Sequence, residues 1–285
     1  MSLAQVHLDA LVAQSTGSEG VTLAVIDGPV DTGHEGFGGK SFRTVEGDPR
    51  VQCSVDNSLA CKHGTFVASE LGAARGSGAP ALAPSCPMIL RPIFAEGVDA
   101  SGRAPTVTAA DLALAIRDVL RAGARVVNLS VGLADTAMEP SPALDEAFDE
   151  ARRRGVVVIA AAGNQGALGA VPLFAHPWVI PVVACDAGGR PLADATYGPS
   201  VGRYGLMAPG SGIQGLSSGG GLREMTGSSA AAPFVSGAAA LLWSLRPGVS
   251  AVQLITALRG DSRARRGVVP PLLDAEQALR ALGGG

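Results

Sequence analysis

The chain has 285 residues, of which 47% are hydrophobic and 16% charged, so it carries enough apolar material for a sizeable core and too much for disorder. Lys plus Arg number 22 against 25 Asp plus Glu, a net charge of −3 without the cationic excess that nucleic-acid binding requires. Four cysteines are too few for a disulfide scaffold, and none sits in a C-x-x-C pair that would suggest zinc.

Along the chain, residues 1–20 lack a basic start and a continuous apolar run, so they do not read as a signal peptide. They read as a short extension carrying one amphipathic helix, with Leu3, Val6, Ala10 and Leu11 on one side. Cytoplasmic location is the expectation. Five near-continuous apolar runs follow: Val21–Ile26, Met88–Phe94, Ala124–Val131, Val156–Ala162 and Trp178–Cys185. Strands without polar alternation are covered on both faces, which predicts a mostly parallel sheet.

Helical stretches lie between the runs. Thr108 with Asp111 opens one that Gly123 stops, and Ser141-Pro142 caps another that ends at Arg154-Gly155. In the latter, acids come first and arginines last, as the helix dipole favours; this is a solvated face. Alternating strands and helices predict a three-layer α/β/α fold, one domain over residues 1–285 with a frayed tail at 283–285. The apolar stretch after Ser228 is interrupted by Pro233, Ser236 and Gly237, so no membrane span is expected.

In parallel sheets, ligands bind beyond the carboxyl ends of the strands. Asp27-Gly28-Pro29 follows the first run and Gly163-Asn164 the fourth. A nucleophilic hydroxyl needs a base and an acid to orient it. His63, opening HGTFVASELGA, would project from the start of a rigid helix, a setting that His7, His34 and His176 lack. Ser228 and Ser229 both stand at the start of a long small-residue helix, where either is a candidate nucleophile or a plain N-cap.

Taken in order, Ala24-Val25-Ile26-Asp27, His63-Gly64-Thr65-Phe66-Val67-Ala68, Asn128-Leu129-Ser130-Val131-Gly132, Ala161-Ala162-Gly163-Asn164 and Gly227-Ser228-Ser229-Ala230-Ala231-Ala232-Pro233 resemble the signature of subtilisin-like serine proteases. The resemblance covers roughly residues 20 to 260. It implies that Ser229 is the nucleophile, since the spacing to Pro233 excludes Ser228, that His63 is the base and that Asp27 orients it. Asp31 is a rival that falls past the strand end. Asn164 would donate to the oxyanion, and Ser130, Val131, Gly132, Ala161, Ala162 and Gly163 would hold an extended peptide substrate.

The chain departs from the family where Asp27-Gly28-Pro29 replaces D-[ST]-G and Phe66 replaces the second histidine of HGTH. Ala24–Phe37 resembles one branch, the cyanobactin-type proteases that trim leaders from ribosomally made precursors. With 26 residues before Asp27, no pro-domain is expected, which fits that branch. A peptide or precursor peptide is therefore the expected partner, with no nucleic acid and no membrane. The alternatives are a general intracellular protease and an inactive scaffold that binds peptides. No cofactor is expected; many relatives bind calcium, but no dense acidic loop allows a site to be assigned.

In the same branch, cyclising enzymes carry an added helical segment near the catalytic histidine. Here Gly76, Gly78, Pro80, Pro84 and Pro87 forbid a stable helix between Ala74 and Met88, which predicts linear products. Gly36–Ser41 resembles a phosphate loop but has His34 where glycine is required, so it reads as a turn. Gly219–Gly221 reads as a hairpin or loop, and Arg263, Arg265 and Arg266 as a solvated cluster. Cys53 and Cys61 are near enough to bridge, although a cytosolic setting favours free thiols.

Overall fold

In the computed structural model, which describes residues 2–45, 53–55, 58–94, 106–133, 141–169, 172–260 and 265–283, the five apolar runs form the middle of one sheet. They are β1 (Leu23–Asp27), β3 (Met88–Pro92), β5 (Val126–Leu129), β7 (Val157–Ala161) and β8 (Val179–Cys185), every residue of them buried. Two short strands, β2 (Phe42–Thr44) and β9 (Leu206–Pro209), complete the edges. The order is β2-β3-β1-β5-β7-β8-β9, and all neighbours are parallel. A two-residue pairing joins β4 (Thr106–Val107) to β6 (Gly132–Leu133). β10 (Ile213–Leu216) and β11 (Leu222–Met225) make an antiparallel hairpin whose turn holds Gly219–Gly221, as the sequence suggests.

Helices cover both faces. α4 (Ala109–Arg121) and α5 (Pro142–Arg154) pack against each other and the sheet, each opened by the expected cap: Thr108 accepts the Asp111 N–H and Ser141 the Leu144 N–H. α3 (Leu59–Gly72) lies against β1, and α7 (Ser228–Leu245) crosses β5, β7, β8 and β9. The smaller α6 (Pro199–Tyr204), α8 (Ala251–Arg259) and α9 (Ala275–Gly283) follow the same pattern of one buried side.

Four expectations need correction. The N-terminal segment forms two helices, α1 (Ser2–Gln5) and α2 (Asp9–Gln14), because His7 between them takes φ +53°. It is no loose extension, since Val6, Leu8 and Leu11 are fully buried. α7 runs unbroken through Pro233, Ser236 and Gly237 and is long and apolar enough to cross a membrane, yet nearly all of it lies inside the protein as the core helix. Arg265 is no solvated cation: it donates to the carbonyls of Gly205 and Arg259. Arg263 lies outside the described residues, as do the last two glycines.

Finally, Cys53 and Cys61 are joined as a disulfide, while Cys86 and Cys185 are free and buried. The bridge ties residue 53 to the first turn of α3, just before His63.

Candidate active site

The chain leaves β1 at Asp27 and meets α3 almost backbone to backbone. A Cβ on Gly28 would run into the Ala60 carbonyl, and one on Gly64 into the Gly28 carbonyl. Glycine at both positions lets strand end and helix touch, which brings His63 Nδ1 to 2.6 Å from Asp27 Oδ1. The same carboxylate oxygen accepts the Gly28 N–H at 2.6 Å, so Asp27 is held from two directions. α3 begins at Leu59, capped by Ser58, four residues before the expected start; His63 therefore stands in its second turn. Asp31 plays no part in this pair: its carboxylate accepts the Gly219 N–H and fixes the β10–β11 turn.

At the start of α7 the two serines separate. Ser228 is 2% exposed and its hydroxyl accepts the Gly163 N–H at 3.0 Å, while Ser229 is half-buried and faces a cavity. Asn164 Oδ1 accepts the Ser228 N–H at 2.9 Å, leaving its amide nitrogen to donate elsewhere. Gly227, at φ +137°, leaves the room beside it that this carboxamide fills. The Ser229 N–H, second in the helix, has no intrahelical acceptor.

Pro233 lacks the N–H that would have bonded the Ser229 carbonyl one turn back. Ser130 Oγ supplies that bond at 3.2 Å, and it is held in turn by Asn128 Nδ2 at 2.9 Å, with Ser236 Oγ donating to Asn128 Oδ1 at 2.8 Å. A buried chain of hydrogen bonds thus fixes the nucleophile's turn to β5. The Asn-x-Ser and Ser-x-x-x-Pro motifs are two halves of one device.

His63, Ser229 and Asn164 line one cavity of about 340 Å³, the size of a small ligand site. No direct hydrogen bond joins His63 to Ser229, a looseness common before substrate tightens such pairs. Ser130, Val131, Ala161 and Gly163 form part of the wall. Gly132 and Ala162 do not: Gly132 pairs with Thr106, and the Ala162 N–H donates to Val182. Phe94, Gln165, Arg223 and Met225 also line it, and sequence patterns had not singled them out. A larger cavity of about 490 Å³ near Ser2, Asp186 and Gln214 holds none of the candidate residues.

The electrostatics of the base are set by burial and by its two charged neighbours. Burial pulls the His63 pKa down, but the charge and hydrogen bond of Asp27 outweigh it, leaving the imidazole above its ordinary value; Arg223 opposes this in part. Further along α3, Glu70 is fully buried with both carboxyl oxygens unpartnered, and so is Asp27 Oδ2. Burial first, and then the charge of Asp27, push the Glu70 pKa well above the usual carboxyl value. Among the described residues no group of three His, Cys, Asp or Glu side chains gathers as a metal would need, and no metal site is assigned.

Comparison with known proteins agrees with this layout. The subtilase family model matches residues 18–270. Subtilisin E of Bacillus subtilis (strain 168) is 30% identical over 250 residues, covering 86% of this chain; the match spans 61% of that protein's length. Among solved structures, the S218A mutant of the protease domain of PatA superposes with TM-score 0.82 and 31% identity, covering 94% of this chain and 97% of that one. Prenylagaramide maturation protease PagA gives TM-score 0.82 and 28% identity over 97% and 98%. The chain belongs to the subtilase family and is a serine protease of the subtilisin-like α/β fold.

Proposed function

We infer that this protease trims a ribosomally made precursor peptide by acyl-enzyme hydrolysis, with Ser229, His63 and Asp27 as its triad. The observation that carries this reading is the match, over nearly the whole of both chains, to proteases named for the maturation of prenylagaramide and patellamide. Ser229 Oγ attacks the scissile carbonyl and passes its proton to His63 Nε2. Asp27, on Nδ1, keeps the imidazole in the receiving tautomer and stabilises its charged form. Asn164 and the Ser229 N–H donate to the oxygen as it becomes negative. The tetrahedral species collapses as His63 protonates the leaving amine; water, activated by the same imidazole, then frees the acyl group.

Asn164→Ala should lower kcat by about 10²–10³-fold with little change in KM, the magnitude known for this donor in subtilisin, a member of the same family. Equal losses in both would assign Asn164 to ground-state binding or to the fold.

Hydrolysis in preference to cyclisation requires that water reach the acyl group. The segment from Ala73 to Pro87 carries no helix that could close over His63. Incubated with a precursor peptide encoded beside its gene, the enzyme should release a linear core heavier by one water than the ring, read by mass spectrometry. A dominant cyclic product would overturn the hydrolytic reading, and comparable cleavage of casein would point to a general protease. A cytoplasmic site of action belongs to the same proposal. The Cys53–Cys61 bridge weighs against it, since such bonds persist mainly in oxidising compartments.

A further inference from the structure

Apart from the His63–Asp27 pair, one formal charge stands in the described wall of the catalytic cavity, and it has no counter-ion. It belongs to Arg223, on β11. Side chains alternate along this strand: Leu222 and Glu224 are exposed, while Arg223 and Met225 turn to the cavity. The neighbouring acid is therefore on the wrong face, where its carboxylate lies beside Gly212. Across the hairpin from Arg223 stands Gly215, whose missing side chain would have struck Phe66 of α3, so the shared face of the hairpin looks toward that helix.

Arg223 makes no salt bridge or hydrogen bond among the described residues, and its Nε is buried without a partner. The buried Nε–H without a partner is costly, and the partly exposed guanidinium can satisfy it by taking a carboxylate through two parallel hydrogen bonds. Leu59 and Ala60, in the first turn of α3, line the same cavity, and the positive end of the helix dipole there adds to the preference for an anion.

The side of the substrate can also be read. On the peptide-cleaving reading His63 must reach the leaving amine, so the leaving segment passes over His63 and the start of α3, and the acyl segment is left to the wall of Ser130, Val131, Ala161 and Gly163. Arg223 stands on that side. We propose that Arg223 is a specificity residue that binds a substrate carboxylate, from Asp or Glu, on the carboxyl-terminal side of the scissile bond. The inference rests on the peptide-cleaving reading of the site and names the class of peptide it takes.

The test separates the two. Fluorogenic peptides of one sequence carry Glu or Gln at single positions on either side of the cut. With the wild type, Glu on the leaving side should raise kcat/KM about tenfold over Gln, the worth of one charge-assisted pair, and Arg223→Ala should bring that ratio to about one. Arg223→Glu should invert it in favour of Lys. Binding of the same peptides to Ser229→Ala protein, with and without Arg223→Ala, is followed by fluorescence anisotropy and does not depend on turnover. The same tenfold preference there supports the proposal even if cleavage fails, in which case the catalytic reading falls alone. Equal affinity for Glu and Gln peptides, or a preference that appears on the acyl side or survives Arg223→Ala, would overturn it.

Discussion

Replacing Ser229 or His63 by alanine is expected to abolish peptide cleavage, with a loss of about 10⁶-fold in kcat, as for the same residues in subtilisin itself. Circular dichroism and Tm should remain those of the wild type, because Ser229 is half-buried at the cavity edge and His63 contributes one bond to Asp27. The double variant should lose no more than either single one, since the two groups act as a unit. Ser228→Ala should behave differently. It removes the acceptor of the Gly163 N–H and so loosens the turn that carries Asn164, giving a partial loss of activity. A dead Ser228→Ala beside an active Ser229→Ala would reverse the assignment of the nucleophile. The acid limb of wild-type kcat/KM should lie above the ordinary imidazole value of 6.5, because the base must be neutral and Asp27 favours its protonated form.

The second large effect concerns stability. Glu70 is buried without a hydrogen-bond partner, so its proton is held in the folded chain and released in the unfolded one. A carboxyl whose folded pKa is raised favours folding below its unfolded value, near 4.5, and that contribution is lost as pH rises toward the folded value. Wild-type stability should therefore fall with rising pH above about 4.5, with a slope approaching about 1.4 kcal/mol per pH unit from this residue. Glu70→Leu, which removes both the charge and the unpaired oxygens, should flatten that slope and raise Tm most at the alkaline end. Denaturant unfolding of both proteins at pH 5 and pH 8 checks this. An unchanged slope in the variant would show that another group is titrating.

These two expectations differ in how far they were legible in the sequence. The central strands were plain because uninterrupted Val, Ile and Ala runs leave no alternative to double-sided burial. The triad was legible because resemblance supplied its order, and the helix chemistry alone left Ser228 and Ser229 level. The resemblance separated them by the spacing to Pro233, and the structure gives the physical reason in a long-range bond, Gly163 N–H to the Ser228 hydroxyl, which helix chemistry does not announce. Glu70 was hidden for the opposite reason. An acid within HGTFVASELGA would normally take the solvent side of an amphipathic helix, but α3 is covered nearly all round and has little such side to offer. The edge strands β2 and β9 and the hairpin bearing Arg223 were too short, or too mixed in burial, for periodicity to register. Likewise the pairing of Cys53 with Cys61 depended on where the chain is made, which spacing does not encode.

The contact between Gly28 and the Ala60 carbonyl has a consequence for anyone engineering this enzyme. Consensus substitution, a common route to stabilisation, would put serine or threonine at position 28 if it followed the D-[ST]-G pattern that the resemblance implies. In this chain the first side-chain carbon already has no room: α3 would have to move away from β1, and the Asp27–His63 bond would lengthen with it. Position 28 and the seating of α3 are thus a matched pair, and a family average taken one column at a time would separate them.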